Sequence, residues 1–396
     1  MPRLDADIVI GGEGLLAAVS AAALAEEGFA VSWIGGEDPP RWGGPGPIAI
    51  APAGRALLER YRLWPGSPPE GQAVQRMRVW DAGGRISFSA AELAVPELAR
   101  IVDGVRLFEC ALAAARARVV AEANRIVAVE PGPDAVRLVL ADGRSRLARL
   151  LLACDGADSP LRRLIGIPTL ERAYGASALS FRVRSRLPHD ATAFQRFLPG
   201  GPIALLPLAD GASQVVWTRP EPVARALNAL KPEALARAAT EASEECLGAL
   251  EIEGACRFLP LRMRLAEGFA AERVALLGDA AHQVHPLAGQ GANLGLLDLA
   301  WLIAVLARAR RRGLDLGSRA VLARYAQNRR SAAGLAALAF DGLERLFSSA
   351  EGPLVQLRRM GLSLVDRIPP LKRWLAHEAM GWSAWPAELP VSGGGP

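Results

Sequence analysis

The residues best suited to chemistry form one run, Val274-Ala-Leu-Leu-Gly-Asp-Ala-Ala-His-Gln-Val-His-Pro-Leu-Ala-Gly-Gln-Gly-Ala-Asn-Leu-Gly-Leu-Leu-Asp298. An apolar strand leads into Gly278-Asp279, then a glycine-rich turn, then a helix opening near Gly291. The carboxylate of Asp279 can accept hydrogen bonds from the hydroxyls of a sugar-like chain. The first N–H groups of the helix have no intrahelical partner and point at whatever anion or ring edge sits there.

A second phosphate-type site stands at the N-terminus. Asp7-Ile-Val-Ile-Gly reads as a buried parallel strand. Gly12-Glu13-Gly14-Leu15-Leu16-Ala17 follows, then a helix through Ala18–Glu27 stopped at Gly28, then a strand over Phe29–Ile34. This is a βαβ unit with a G-x-G-x-x-A fingerprint. Gly12 and Gly14 permit a tight turn and close approach of backbone to a pyrophosphate, and the small Ala17 lets the helix pack on the strand. Two features depart from the pattern. Gly35 stands where a ribose-binding acid should end the second strand, with Glu37 and Asp38 the nearest replacements. Glu13 places a negative charge in the phosphate loop. On this reading Gly35→Glu should tighten cofactor binding.

A third segment, Ala153-Cys-Asp155-Gly156-Ala-Asp-Ser159-Pro-Leu-Arg162-Arg163, follows the apolar strand Leu147–Leu152. It reads either as a cofactor contact through Asp155, Gly156 and Arg162 or as a helix start capped by Asp158 or Ser159. Between these segments lie stretches of alternating polarity. Met77–Phe88 reads as a hairpin turning at Gly83-Gly84, and Ala178–Arg184, Ala193–Phe197, Ile203–Pro207 and Ser213–Trp217 read as successive antiparallel strands. His189 reads as a surface or sheet-edge residue rather than a catalyst.

The three segments, in this order, resemble the flavin-contacting motifs of FAD-dependent aromatic hydroxylases, and within them the ubiquinone-biosynthesis hydroxylases most. Pro188–Leu208, Asp341–Phe347 and Leu364–Arg373 are also similar to that family. The resemblance spans roughly residues 5–381. It implies an α/β fold in which a glutathione-reductase-like FAD-binding Rossmann domain is interleaved with a mixed β-sheet substrate domain, with a helical C-terminal region. It implies that FAD is bound by Gly12, Gly14, Ala17, Glu37, Arg41, Asp155, Gly156, Arg162, Gly278, Asp279, Pro286, Gly289, Gly291 and Asn293. Asp279 would hold the ribityl chain, Gly289, Gly291 and Asn293 would line the isoalloxazine edge, and Pro286, with His285, would lie close to the ring. The family places an arginine where Gly46 stands here, and Arg41 is the nearest basic residue in sequence. The reaction implied is hydroxylation of a polyprenylated phenol through a flavin C4a-hydroperoxide, with O2 and NAD(P)H. The departures at Gly35 and Glu13 keep a second role open, that of a flavin-poor structural or regulatory member of a quinone-synthesis assembly. A secondary-metabolite flavin hydroxylase is a third reading.

Composition agrees with a globular enzyme. The 396 residues suit two interlocked domains, with 51% hydrophobic and 22% charged residues. The net charge is +5 and the pI about 9.4, carried almost entirely by arginine, yet no dense basic block with interleaved aromatics suggests nucleic acid. Cys110, Cys154, Cys246 and Cys256 are scattered, with no metal or disulfide spacing. His282 and His285 lack the further ligands that a metal would need and read as ordering their loop. The sequence shows no signal peptide, and Leu294–Leu306, interrupted by Asp298, reads as a buried helix.

The expected division is residues 5–70, 99–172 and 266–335 for the FAD domain, 71–98 and 173–265 for the substrate domain, 336–381 for the helical region and 382–396 for a flexible tail. Around 354–380 apolar positions share one helical face and arginines the other, with Pro369-Pro370 as a break. Such a segment either packs on its own domain or contacts a membrane surface peripherally. The expected location is cytoplasmic, with peripheral contact at the inner membrane surface as the alternative.

Overall fold

The computed structural model describes residues 3–35, 46–66, 70–283, 290–348 and 366–390. Nineteen strands among them form three sheets.

The first sheet is built on β1 (Ala6–Gly11), which pairs in parallel with β2 (Val31–Ile34) on one side and β11 (Ser145–Ala153) on the other. β8 (Val120–Glu122) extends it beyond β2, and β18 (Val274–Leu276) with β17 (Ala270–Ala271) beyond β11. β9 (Ile126–Pro131) and β10 (Val136–Leu140) join antiparallel at β11. The parallel centre is buried on both faces, which is why Ile8, Val9, Ile10 and Leu150–Leu152 are an unbroken apolar run. Helix α1 (Leu15–Glu26) is Ala-rich and buried from Ala17 to Leu24. Its small side chains let it sit close between β1 and helices α3 (Gly104–Arg116) and α7 (Gln290–Arg311).

The second sheet runs β19-β16-β12-β15-β14-β13-β5-β6. Its strands are β5 (Arg76–Trp80), β6 (Arg85–Ser89), β12 (Thr169–Ser185), β13 (Thr192–Arg196), β14 (Ile203–Pro207), β15 (Ser213–Pro220), β16 (Leu250–Ala266) and β19 (His282–Gln283). Side chains alternate between its faces with period two. Phe194, Val215 and Trp217 pack with Leu235 and Ala239 of α6 (Pro232–Ala242), while Ala193 turns to a separate cluster with Val74, Ile101 and Leu208. β13 joins β5 in parallel, so Arg76–Ser89 enter the same sheet as β12–β16 through a long crossover. A third, small sheet holds β3 (Pro47–Ile50), β7 (Ala99–Asp103) and β4 (Gln72–Val74).

Several local expectations are corrected. The hairpin loop is four residues, Asp81–Gly84, and neither glycine adopts positive φ. The Asp81 carboxylate closes it instead, accepting from Gly83 N and Gly84 N at 2.9 and 2.7 Å. His189 is buried rather than superficial, with Nε2 3.0 Å from the Leu208 carbonyl and Nδ1 accepting from Ala191 N. The break expected at Pro369-Pro370 is present, with Arg367 and Ile368 outside any helix and the two prolines opening the next one, Pro369–Ala379. Proline is tolerated in a first turn, where its missing N–H would have had no partner. The segment from Trp382 is packed through Leu389, which is buried in the main core, and Trp301 Nε1 donates to Ala384 O at 2.7 Å. Residues 391–396 lie outside the described residues.

Helix α7 is long and apolar enough to cross a membrane, but two-thirds of its apolar window is buried inside the fold (67%). It is the central core helix.

Candidate active site

The three sequence motifs converge on one cavity of about 640 Å³. Gly12 and Gly14, then Asp155 and Gly156, then Gly278, Asp279 and Gly291 all line it, with Ile48, Asn124, Arg125, Leu161 and Leu296 completing the wall. Each motif arrives because β1, β11 and β18 are neighbours in the first sheet and end at the same edge.

Glycine is required where the walls touch. Gly12 has φ +141°, and a Cβ there would lie 2.3 Å from the Cys154 carbonyl oxygen. Gly278 has φ +57°, and a Cβ would meet Leu16 Cδ2 at 2.5 Å. Gly14 serves differently. It caps α1 without a side-chain hydrogen bond and has open space around it, so the first N–H groups of α1 are left for a ligand. Gly291 likewise has nothing within 4 Å of a Cβ position.

Asp279 opens into the cavity, and among the described residues no donor reaches its carboxylate. The surrounding wall desolvates it and raises its pKa above the usual carboxylate range, with His282 opposing and Asp298 adding to the rise, while the side chain itself stays exposed to the cavity. An exposed carboxylate that no described donor reaches suits a hydroxylated chain that can donate to it. Free helix N–H groups at Leu15 and Leu16 suit a pyrophosphate, and Leu15, Leu16 and Asp279 line the same cavity. The residues present fit FAD.

Three of the proposed contacts stand behind the wall rather than on it. Ala17 is fully buried under α1. Arg162 donates to Ala280 O at 2.7 Å and Ala157 O at 2.9 Å, strapping the second motif to the third, and burial lowers its pKa. Asn293 is buried and clamps β3, accepting from Ala51 N and donating to Ala49 O, each at 2.8 Å. Asp155 combines both sequence readings. It lines the cavity, but its oxygens accept from Leu161 N at 2.8 Å and from the Ser159 hydroxyl, capping the helix Pro160–Leu164. Burial raises its pKa against those two hydrogen bonds. Ser159 is the N-cap proper, accepting from Arg162 N at 2.9 Å. Glu37, Arg41, His285, Pro286 and Gly289 lie outside the described residues.

Sequence reasoning missed the support beneath the third motif. Asp298, fully buried on α7, accepts from Gly278 N at 3.0 Å, lies 2.6 Å from His282 Nε2, and accepts from Arg329 Nε at 2.6 Å. Burial alone would raise the Asp298 pKa, but His282 and Arg329 together hold it below the usual carboxylate range. His282 also stacks on Phe269, and Tyr325 donates to Leu276 O at 2.6 Å. The single acid in the apolar Leu294–Leu306 run was the signal. Its partner Arg329, on α8 (Arg319–Ser348), had none.

The Gly46 position is also informative. A Cβ there would lie 3.4 Å from Arg257 Nη1, so among the described residues a guanidinium reaches this place from β16 in the second sheet, out of reach of any local sequence pattern.

A nucleotide-type sheet, an interleaved antiparallel sheet and a cavity where three glycine turns meet define an FAD-dependent monooxygenase of the para-hydroxybenzoate hydroxylase-like fold. The comparisons agree. The FAD binding domain family matches residues 106–338. Ubiquinone hydroxylase UbiL of Rhodospirillum rubrum is 36% identical over 386 residues, covering 95% of this chain and 90% of that one. The 3-demethoxyubiquinol 3-hydroxylase of Escherichia coli is 31% identical, covering 96% of this chain and 100% of that one. The crystal structure of p-nitrophenol 4-monooxygenase PnpA from Pseudomonas putida superposes with TM-score 0.77 at 18% identity, covering 96% of this chain and 99% of that one, which shows the fold. The chain belongs to the ubiquinone-biosynthesis FAD-dependent hydroxylase family.

Proposed function

We propose that this enzyme hydroxylates the ring of a polyprenylated phenol, with NAD(P)H as reductant and O2 as oxygen source. The observation that carries the proposal is the convergence of all three motifs on one cavity, with Asp279 facing it and unpartnered among the described residues, in a chain of this family. Bound FAD supplies the oxygen-activating chemistry, and the protein supplies position and shelter. Gly12, Gly14 and the start of α1 would hold the pyrophosphate. Asp279 would accept from the ribityl chain. Gly291 and Ala292, at the start of α7, would offer the ring edge backbone alone. One turn on, Leu294 packs with Met263 and Tyr174 of the second sheet, which gives the substrate side an apolar, water-excluding boundary.

The test is turnover of a short-chain prenyl phenol by the FAD-loaded protein under 18O2. The expected product carries one 18O, with reductant consumption matched to product. Turnover of simple phenols or unprenylated metabolites in its place would support the secondary-metabolite reading. Reductant consumption yielding only hydrogen peroxide with every prenyl phenol would overturn the proposal.

A substrate dissolved in a bilayer also suggests a docking face, and with it a location on the inner membrane surface. The Pro369–Ala379 helix buries Ala376 and shows Leu371 and Trp374 outward, Trp374 at 57% exposure. An exposed tryptophan beside Arg373 suits a headgroup boundary. Trp374→Glu is expected to reduce cosedimentation with anionic vesicles several-fold while leaving FAD content intact. Unchanged cosedimentation would remove this face from the account.

A further inference from the structure

The two departures in the phosphate loop occupy one place. Gly35 ends β2 with φ +105°, and its N–H donates to Glu122 O at 2.9 Å. A Cβ at Gly35 would lie 3.0 Å from the Gly12 carbonyl oxygen and 3.2 Å from Glu13 Cγ. The Gly12 carbonyl cannot retreat, because Trp33 Nε1 donates to it at 2.7 Å and the Gly12 Cα is wedged on Cys154. The loop thus leans on the strand end from which an acid would normally project, and the Glu13 side chain starts beside that position. Glu13 lines the main cavity and also a side cleft of about 250 Å³ with Gly35, Asn124 and Arg125. It makes no ion pair among the described residues. The expectation that Gly35→Glu would tighten cofactor binding is therefore corrected: the position is strained for any side chain, and the Glu13 side chain already stands beside it.

In a βαβ dinucleotide site the pyrophosphate lies at the helix start and the adenosine ribose at the end of the second strand. Glu13 stands at that ribose end. We propose that Glu13 replaces the missing strand-end acid, accepting a hydrogen bond from the adenosine ribose of FAD, and that Gly35 is glycine because Glu13 needs its space. The inference rests on FAD as the cofactor and adds the residue that selects its adenosine half.

The opposing account is simple repulsion, in which a carboxylate in a phosphate loop weakens every anionic ligand. The two accounts differ in sign. FAD and FMN affinities of the deflavinated full-length protein, followed by flavin fluorescence, separate them. If Glu13 binds ribose, Glu13→Gln weakens FAD roughly tenfold or more, as expected for loss of a charge-assisted hydrogen bond. FMN, which has no adenosine, is unaffected. FAD lacking the adenosine 2′-hydroxyl should bind the parent about tenfold more weakly, yet bind Glu13→Gln almost as FAD does, since both changes remove one interaction. Gly35→Ala, which displaces Glu13, should mimic Glu13→Gln. Unchanged FAD affinity in Glu13→Gln, or tightening of FAD and FMN alike, would overturn the proposal while leaving the flavoenzyme intact. A parent protein that binds neither flavin would instead overturn the cofactor assignment, and this proposal with it.

Discussion

Asp298→Ala is expected to cost about 3–5 kcal/mol of folding stability, the range for breaking a buried charge network by removing one partner. The carboxylate accepts from the Gly278 N–H and is shared by His282 and Arg329, with no side chain of the three more than 1% exposed. Alanine would leave a guanidinium and a backbone N–H buried without their acceptor. Typical domains are stable by about 5–15 kcal/mol, so the variant should lose a large part of its margin. Denaturant unfolding would measure the loss, and a change under about 1 kcal/mol would contradict it. Function should suffer before unfolding does, since Asp298 fixes the turn that presents Asp279. The network also has a pH signature. The Asp298 pKa is lower in the folded state than the unfolded value of about 3.9. Its stabilisation is therefore complete above about pH 4 and is lost as pH falls through the lower folded value. Asp298→Ala should flatten that acid limb.

Gly12→Ala is expected to abolish flavin binding, lowering affinity at least about 100-fold, or about 2.7 kcal/mol. At φ +141° an L side chain is strained, and its Cβ would stand 2.3 Å from the oxygen and 2.5 Å from the carbon of the Cys154 carbonyl. That carbonyl follows β11 at the centre of the sheet, so the loop must move instead, taking Gly14 and the α1 start with it. Gly14→Ala is the informative companion. Gly14 has φ −88° and open space around it. Alanine fits the free protein there, and the expected result is native stability with weakened FAD, because the methyl projects where backbone should meet pyrophosphate. Native flavin affinity in Gly12→Ala would contradict the placement of the loop.

The parts of this structure that were legible in the sequence are those with local causes. β1, α1 and the fingerprint turn follow from an apolar run, an Ala-rich stretch and two glycines within a dozen residues. Gly278-Asp279 and Gly291 follow from glycines between a strand and a helix. Residues whose roles depend on distant partners were misread. Asn293 looked like a ring-edge contact because it sits in the motif, yet its amide is taken by Ala49 and Ala51, more than 240 positions away in sequence. Arg162 looked like a cofactor cation and proves to be a strap to Ala280. His189 looked superficial because nothing near it in sequence reveals the Leu208 carbonyl. Gly35 and Glu13 looked like two separate defects, and only their juxtaposition across the loop shows them to be one arrangement.

The most direct measurement is the flavin content of the purified protein, before and after incubation with FAD. The account predicts one FAD per chain, with FMN a far poorer ligand because it cannot reach the Glu13 end of the cavity. Failure to take up FAD even at high concentration would contradict it, and would leave three converging glycine turns and the Asp279 carboxylate without a ligand.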